Sequence, residues 1–442
     1  MVTKPVLPLL LSMSLPVMLS MLIQSLYNIV DSFWVAKLGT DALTAVSLAF
    51  PLQNIILSAG VGMGVGMSAR ISICLGRGDR EQASRAASMG TMLVIVHCFV
   101  FLLGDLLITE PFLAMFTNRP EILSLACDYT HIVVRLSFGV LLQIGLEKIF
   151  QGAGKMFITM CLMATGAVIN LILDPILIFG LMGLPAMGIR GAAWATVIGQ
   201  IAAMLLYLVV YRFTDLGLEL HPRYAGFRRG LAADIYGIAV PSGLMIALPS
   251  VLTGILNGIL VGLGELYVAI LGLYFKLQTF VSMPANGVIQ GMRPILGYNY
   301  GAGNYGRVRS TVRWSLVLVT LMSLAGSLAA LCFPGPILEL FDAEPRLLQE
   351  GIPALRIIGS GFLISAAAIV VCGVLEALGQ GRASLNICLL RQLVILIPAA
   401  WILSRFLGAL GVWIAFPIAE LITLAVALRK LFLLSRRELA DP

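Results

Sequence analysis

The sequence predicts an all-α polytopic membrane protein: twelve transmembrane helices in two six-helix lobes, related by a parallel internal repeat around a central cleft. Three observations predict it. Charged side chains make up 12% of the 442 residues and apolar ones 59%, with a mean hydropathy of +0.99. A soluble domain carries roughly a quarter charged residues, so this chain holds more apolar surface than a watery shell can hide. The apolar residues also fall into about twelve runs near or above the ~20 residues that a bilayer requires. Finally, the chain matches itself at a shift of 225 residues. A soluble enzyme, a disordered chain and a nucleic-acid binder are excluded, because the net charge of +7 is small and is sorted by membrane side.

Taken in order, the spans are punctuated by polar residues, glycine and proline. The first, 8 to 36, ends before Lys37 and Gly39; the second, 43 to 73, ends before the ICLGRGD turn. The third covers 86 to 108 and the fourth 122 to 149, with Pro111, Arg119 and Pro120 between them. Gly154 and Lys155 separate the fourth from the fifth, 157 to 180, and the sixth follows at 189 to 211. The seventh, 236 to 262, stops before Gly264 and Glu265; the eighth runs from 266 to 298 and the ninth from 310 to 333, parted by Gly301, Gly303 and Arg307. Pro336 and Pro345 precede the tenth, 350 to 376, Gly379 and Arg382 precede the eleventh, 384 to 405, and the twelfth covers 408 to 434.

Basic residues fix the expected orientation, because cytoplasmic loops hold the excess of Lys and Arg. With both termini inside, 18 of the 29 basic residues fall on the cytoplasmic side and six opposite; Arg70, Arg135, Lys276, Arg293 and Arg391 stay in or near helices. A multi-pass protein of the plasma (inner) membrane is expected, with lipid as its surroundings and the chain acting as a monomer. No cleavable signal is expected, since the first apolar stretch runs well past a signal-peptide core. The longest polar interval, from about Arg212 to Asp234, contains His221, Pro222 and the Arg228-Arg229 pair. It divides the chain into an N-lobe (1–212), a linker (213–235) and a C-lobe (236–442).

The repeat justifies that division. At the 225-residue shift Pro16 meets Pro241, Gly39 meets Gly264, Gln53 meets Gln278, and Gly62 and Gly66 meet Gly287 and Gly291. The register continues through Gly78/Gly303, Pro120/Pro345 and Gly154/Gly379, and a shift of 220 aligns Gly191 and Ala195 with Gly411 and Ala415. Six helices per half is an even number, so both halves enter the membrane from the same side. Two such bundles around a cleft predict alternating-access transport; the plain alternative is a duplicated scaffold or channel. Gly60, Gly62, Gly64 and Gly66 contain overlapping GxxxG spacings, which read as a close-packing face. There is no G-x-x-x-x-G-K-[ST] loop, so ATP is not the expected energy source.

Carboxylates inside a membrane are costly and usually functional. Asp31 lies in QSLYNIVDSFWVAKLG, with Gln24, Tyr27 and Asn28 preceding it by seven, four and three positions on one helical face. Asp174 lies in INLILDPILIFG, four residues after Asn170, and Pro175 frees the carbonyl of Leu171 by lacking an N–H. Burial disfavours an ionised carboxylate and close pairs disfavour double ionisation, so two acids with amide and hydroxyl neighbours suit exchange of H⁺ or Na⁺. Both could instead sit at helix ends near the headgroups. Pro16 marks a place where the first helix can bend. Glu147 sits beside Lys148 and reads as solvated, while Glu376 and Glu420 read as packed against polar partners. Tyr, Trp and Met side chains such as Met163 could meet flat cations through π faces and sulfur. The seven cysteines show no clustered spacing and read as apolar packers, and His97, His131 and His221 form no metal-ligand pattern. No metal centre and no cofactor beyond the coupling ion, H⁺ or Na⁺ at Asp31 and Asp174, is expected.

At these residues the chain resembles the multidrug and toxic compound extrusion (MATE) family, across Pro16 to LYNIVDSFWVAKLG, the ICLGRGD turn, INLILDPILIFG, GIRGAAWATVIGQ, GYNYGAGNYGRVRS and GVWIAFPIAELIT. The resemblance implies two six-helix lobes that export organic cations and other amphiphiles in exchange for H⁺ or Na⁺. It carries Asp31, Asn170, Asp174 and Thr196 onto the family's N-lobe cation site, with Gln24 and Tyr27 beside it; Glu147 and Met163 join them in the substrate cleft. SAAAIVVCG stands where another branch has an acid in its tenth helix, which points to the DinF-type and MepA-type branch. Arg293 and Glu147 depart from the family, where Gln and Asn are common. The leading expectation is therefore a multidrug-efflux antiporter rather than an enzyme. The second reading is a lipid-linked saccharide flippase of the same broad superfamily, which would want a basic cavity and usually extra helices.

Overall fold

A computed structural model describes residues 3–341 and 344–437. The ends of the expected lobes, 1–2 and 438–442, lie outside the described residues, as does the side chain of Arg437. The described chain is helical because a bilayer supplies no hydrogen-bond partner for open backbone. The first half contains α1 (Val6–Ala36), α2 (Thr40–Gly76), α3 (Arg80–Ala114), α4 (Pro120–Arg135), α5 (Phe138–Gly152), α6 (Met156–Phe179) and α7 (Ile189–Phe213). The second half contains α8 (Arg229–Val261), α9 (Glu265–Gly301), α10 (Tyr305–Cys332), α11 (Pro334–Glu339), α12 (Pro345–Ala377), α13 (Gly381–Leu389), α14 (Ile397–Leu407) and α15 (Ala409–Arg437). A π-helical segment, Leu390–Leu396, joins α13 to α14 and ends two residues before Pro398, which has no N–H to continue the ladder.

Eleven helices among the described residues are long and apolar enough to cross a membrane, with 381–407 taken as one. The remaining span is the fourth, expected as one helix over 122–149 and found as α4 and α5. The break is a tightened turn: Ser137 N–H bonds Val134 O and Gly139 N–H bonds Leu136 O, each at 3.1 Å. No proline marks it, so the apolar run reads as continuous. α3 presents Phe99, Leu103, Leu106 and Leu107 at 61, 61, 65 and 75% exposure, a stripe that only lipid could cover.

The repeat appears in the backbone as well as in the letters. Gly39 and Gly264 have φ of 112° and 142°, Gly78 and Gly303 76° and 72°, Gly154 and Gly379 81° and 86°, and Gly188 and Gly408 56° and 61°. These turns require a left-handed backbone that glycine alone adopts without strain, so the two halves reverse direction in the same way. They differ in the last turns of α3, where Thr109 continues the helix but its counterpart Pro334 starts the separate α11.

The chain clusters into two compact units, one of residues Leu19–Gly243 and one of the chain up to Met18 with that from Leu244 onward. Each unit therefore takes in the start of the other half's first helix, and the changeover falls two residues after Pro16 in α1 and two after Pro241 in α8. α1 nevertheless runs through Pro16 as one helix. The glycine face explains how these segments pack. A Cβ on Gly62 would stand 2.4 Å from Ala239 O, one on Gly66 2.5 Å from Ile235 O, and one on Gly291 2.5 Å from Ser14 Oγ. The Leu19–Gly243 unit holds apolar clusters around Met67, Ile149, Phe150 and Tyr207, around Val35, Leu113, Tyr129 and Ile178, and a small one of Val65, Ala69 and Ile238. The other is built on Leu256, Tyr274, Phe362, Trp413 and Phe416.

Candidate functional site

The site grows from the close approach of α6 and α7. Gly166 and Gly199 face each other, so that a Cβ on Gly199 would stand 2.9 Å from both Asn170 Cβ and Gly166 O. This brings Asn170, Asp174 and Thr196 together at 3, 0 and 5% exposure. Asn170 Nδ2 lies 3.4 Å from Asp174 Oδ1 and 3.4 Å from Thr196 Oγ1. From α1, the carboxyl group of Asp31 faces that of Asp174. Tyr27 of α1 and Tyr129 of α4 approach Thr196 through their hydroxyls, and Gln53 Nε2 of α2 donates to Tyr129 Oη at 3.2 Å.

Three acceptors in this nest, Asp31 Oδ1, Asn170 Oδ1 and Asp174 Oδ2, are buried without a donor. Such a set is suited to a small cation, whether a proton held between the carboxyls or an ion held by oxygens. The two acids also lack a basic partner among the described residues, unlike the other buried acids. Asp105 receives Arg135 Nε at 2.6 Å, His131 Nδ1 at 2.8 Å and Thr109 Oγ1 at 2.9 Å. Glu376 pairs with Arg293, and Glu420 lies 3.7 Å from Arg391.

Of the expected site residues, Asp31, Asn170, Asp174, Thr196 and Tyr27 come together. Gln24 turns along α1 to Asn28, Nε2 to Oδ1 at 3.5 Å, and Met163 lies two turns before Asn170 on α6. Glu147 forms a separate cluster: Lys148 Nζ lies 3.3 Å away and Gln151 Nε2 donates to it at 2.6 Å. Expected to be solvated, Glu147 is instead largely enclosed, its side chain 14% exposed beside a Lys148 that is itself buried. Tyr129, Gln53 and Asp105 escaped the sequence reading. Gln53 enters the sequence analysis only through the repeat register, and Asp105 does not enter it. The four-residue spacing of His131 and Arg135 was the available signal for a shared acid partner.

The repeat mates of this nest are apolar. Leu256 stands in register with Asp31, Ile395 with Asn170, Ala399 with Asp174, Phe416 with Thr196 and Ala354 with Tyr129; Leu256, Phe416 and Ala354 belong to one buried hydrophobic cluster and the other two pack against it. The acid pair thus exists in the first half alone.

The sequence profile of the MatE family matches residues 16–176 and again 241–402, the two copies in register with the internal repeat. The chain belongs to the MatE family. It is a multi-pass membrane transporter, not an enzyme, with twelve spans in two lobes. It is similar to the multidrug export protein MepA of Staphylococcus haemolyticus strain JCSC1435, 26% identical over 429 residues, which are 97% of this chain and 94% of that one. Among solved structures it is similar to a MATE crystal structure in the bent conformation, with a TM-score of 0.90, 25% identity and coverage of 98% and 97% of the two chains. An outward-facing multidrug resistance MATE transporter of the MOP superfamily gives a TM-score of 0.88, 25% identity and coverage of 99% and 98%.

Proposed function

We propose that this MatE-family protein exports amphipathic, mainly cationic organic compounds in exchange for H⁺, opening alternately to the two sides of the membrane. The carrying observation is the Asp31–Asp174 pair, two acids facing each other, each with one donor-less oxygen, and a third such oxygen on Asn170. A proton from one side cancels part of that negative charge, and a cationic substrate competes for the same charge. Binding of one therefore weakens binding of the other, and by linkage the effect is reciprocal. Multidrug export and multidrug resistance among the similar proteins support the substrate class. The distribution of Lys and Arg supports cytoplasmic termini and a place in the plasma membrane. Gln24, Tyr27, Met163 and Glu147 are the side chains assigned to the substrate.

The test is transport of a fluorescent organic cation by liposomes holding the wild type, Asp31→Asn or Asp174→Asn, under an imposed pH gradient and separately a Na⁺ gradient. The expected result is pH-driven transport by the wild type, lost in both variants while dye binding survives. Transport driven by Na⁺ alone would transfer the coupling to that ion. Equal transport by wild type and Asp31→Asn would sink the role of the pair, and no gradient-driven transport by the wild type would favour a flippase.

A further inference from the structure

The segment between α7 and α8 is an ordered element of the Leu19–Gly243 unit. Glu219 N–H donates to Ser84 Oγ at 2.8 Å, His221 N–H donates to Ser88 Oγ at 3.2 Å, and Leu220 N–H donates to Tyr211 Oη at 2.6 Å. Leu216 and Leu218 are buried at 4 and 7% exposure. Docked in this way against the start of α3, the segment borders an open concavity of about 490 Å³ lined by Glu81, Arg85, Arg223, Tyr224, Phe227 and Arg228, with the backbone of Gly226.

The lining carries three guanidinium groups and one carboxylate. Glu81 is taken by Arg85, four residues along α3. The Arg223 guanidinium donates to Tyr224 Oη at 3.0 Å and lies 5.1 Å from that ring; neither Arg223 nor Arg228 has a carboxylate partner among the described residues. Two uncompensated guanidiniums converging on one concavity match a phosphate, which takes paired N–H donors. The level of the cavity selects the source of that phosphate. Its residues come from the first turns of α3 and from the segment 223–228 that leads into α8, where membrane helices meet the headgroups. Phe227 on the lining is 66% exposed, and Phe213 at the end of α7 is 85% exposed, as aromatic side chains are at a membrane interface. This is also the side on which Lys and Arg are concentrated, where a basic cluster next to a membrane helix attracts anionic lipid.

We propose that this cavity is a binding site for the phosphate headgroup of an anionic phospholipid, held by Arg223 and Arg228 with Phe227 against the acyl boundary. The site is separate from the acid pair and does not depend on the transport reading.

The test is native mass spectrometry of the delipidated full chain titrated with phosphatidylglycerol, with phosphatidylcholine and inorganic phosphate as the other arms. The wild type is expected to take a first phosphatidylglycerol in clear preference to phosphatidylcholine, and millimolar phosphate should not displace it. Arg223→Ala/Arg228→Ala should weaken that first binding event on the order of 30-fold. An Arg429→Ala/Arg436→Ala protein should keep it, and both variants leave the membrane helices intact. Unchanged affinity in the cavity variant would overturn the site. Equal losses in the two double variants would reduce it to general surface charge. Displacement by inorganic phosphate would replace the lipid with a soluble phosphate.

Discussion

Gly62 and Gly287 occupy the same place in the two repeats, yet adding a methyl group should cost far more at the first. A Cβ on Gly62 would lie 2.4 Å from Ala239 O, 2.9 Å from Gly243 N and 3.1 Å from Gly243 Cα, all backbone atoms of α8. Carbon and carbonyl oxygen do not approach within about 3 Å, so that stretch of α8 must retreat by at least about 0.6 Å along a packed face. On Gly287 the nearest atom is Met18 Cγ at 2.4 Å, followed by backbone only at 3.3 Å. A thioether side chain can swing to another rotamer. Overpacking against backbone costs roughly 1–3 kcal/mol or more, whereas a rotamer change should leave Gly287→Ala within about 1 kcal/mol of the wild type. Gly104→Ala, with nothing within 4 Å of the new methyl, provides the baseline and should gain up to about 1 kcal/mol from helix propensity. Unfolding temperatures of the three purified variants, read from tryptophan fluorescence in one detergent, should rank Gly104→Ala above Gly287→Ala above Gly62→Ala. If Gly287→Ala were as damaging as Gly62→Ala, the reasoning from the identity of the facing atoms would fail.

Four further outcomes follow from named contacts. Arg391→Ala removes the cation facing Glu420, whose side chain is 15% exposed, and should cost about 3–5 kcal/mol in the same unfolding assay; an Arg391→Met/Glu420→Met protein should recover most of it. Asp105→Ala takes one acceptor from Arg135, His131 and Thr109 together and should cost about 2–4 kcal/mol, with Asp105→Asn milder because one acceptor oxygen survives. Tyr129→Phe loses the Gln53 hydrogen bond at 3.2 Å and should cost about 1 kcal/mol, while liposome transport falls further than that loss of stability explains. Ser84→Ala/Ser88→Ala removes the acceptors that hold the segment between α7 and α8, so tryptic cleavage after Arg223 and Arg228 should quicken roughly tenfold.

The helices were legible because apolar length is what a bilayer demands, and the expected spans differ from the observed ones mainly by a few terminal residues. The fourth and eleventh spans departed for different reasons. Nothing in FGVLLQIG or in the residues before it announces a stop, and the turn at Leu136 is a tertiary choice made where Arg135 reaches across to Asp105. Pro398 did announce an irregularity, but a proline alone does not say whether the helix kinks or rewinds into a π segment. The acid pair was half legible. Asn170 and Asp174 share a face by their spacing, and so do Tyr27 and Asp31. Gly166 and Gly199 let α6 and α7 close on each other and so add Thr196 to the Asn170–Asp174 face, while nothing in the letters says that α1 turns Tyr27 and Asp31 toward it. Tyr129 and Gln53 are 76 residues apart in sequence, and only the packed helices bring them into one hydrogen bond.

The two halves share their turns but not their charges, and the difference is ordered. The left-handed glycines recur at matching positions because both halves reverse direction in the same way, and a side chain there would be strained in either copy. No such demand falls on the buried polar positions. In the second half Glu376 faces Arg293 and Glu420 faces Arg391, so each acid has its charge cancelled within the protein. Asp105 and Glu147 are answered in the same way by Arg135 and Lys148 in the first. Asp31 and Asp174 face each other and have no such basic partner among the described residues. Filling the matching place in the second half with Leu256, Phe416 and Ala354 removes any second site of that kind there. In the proposed exchange one charge is cancelled alternately by two different ligands, and a second, equivalent pair would let both ligands bind at once.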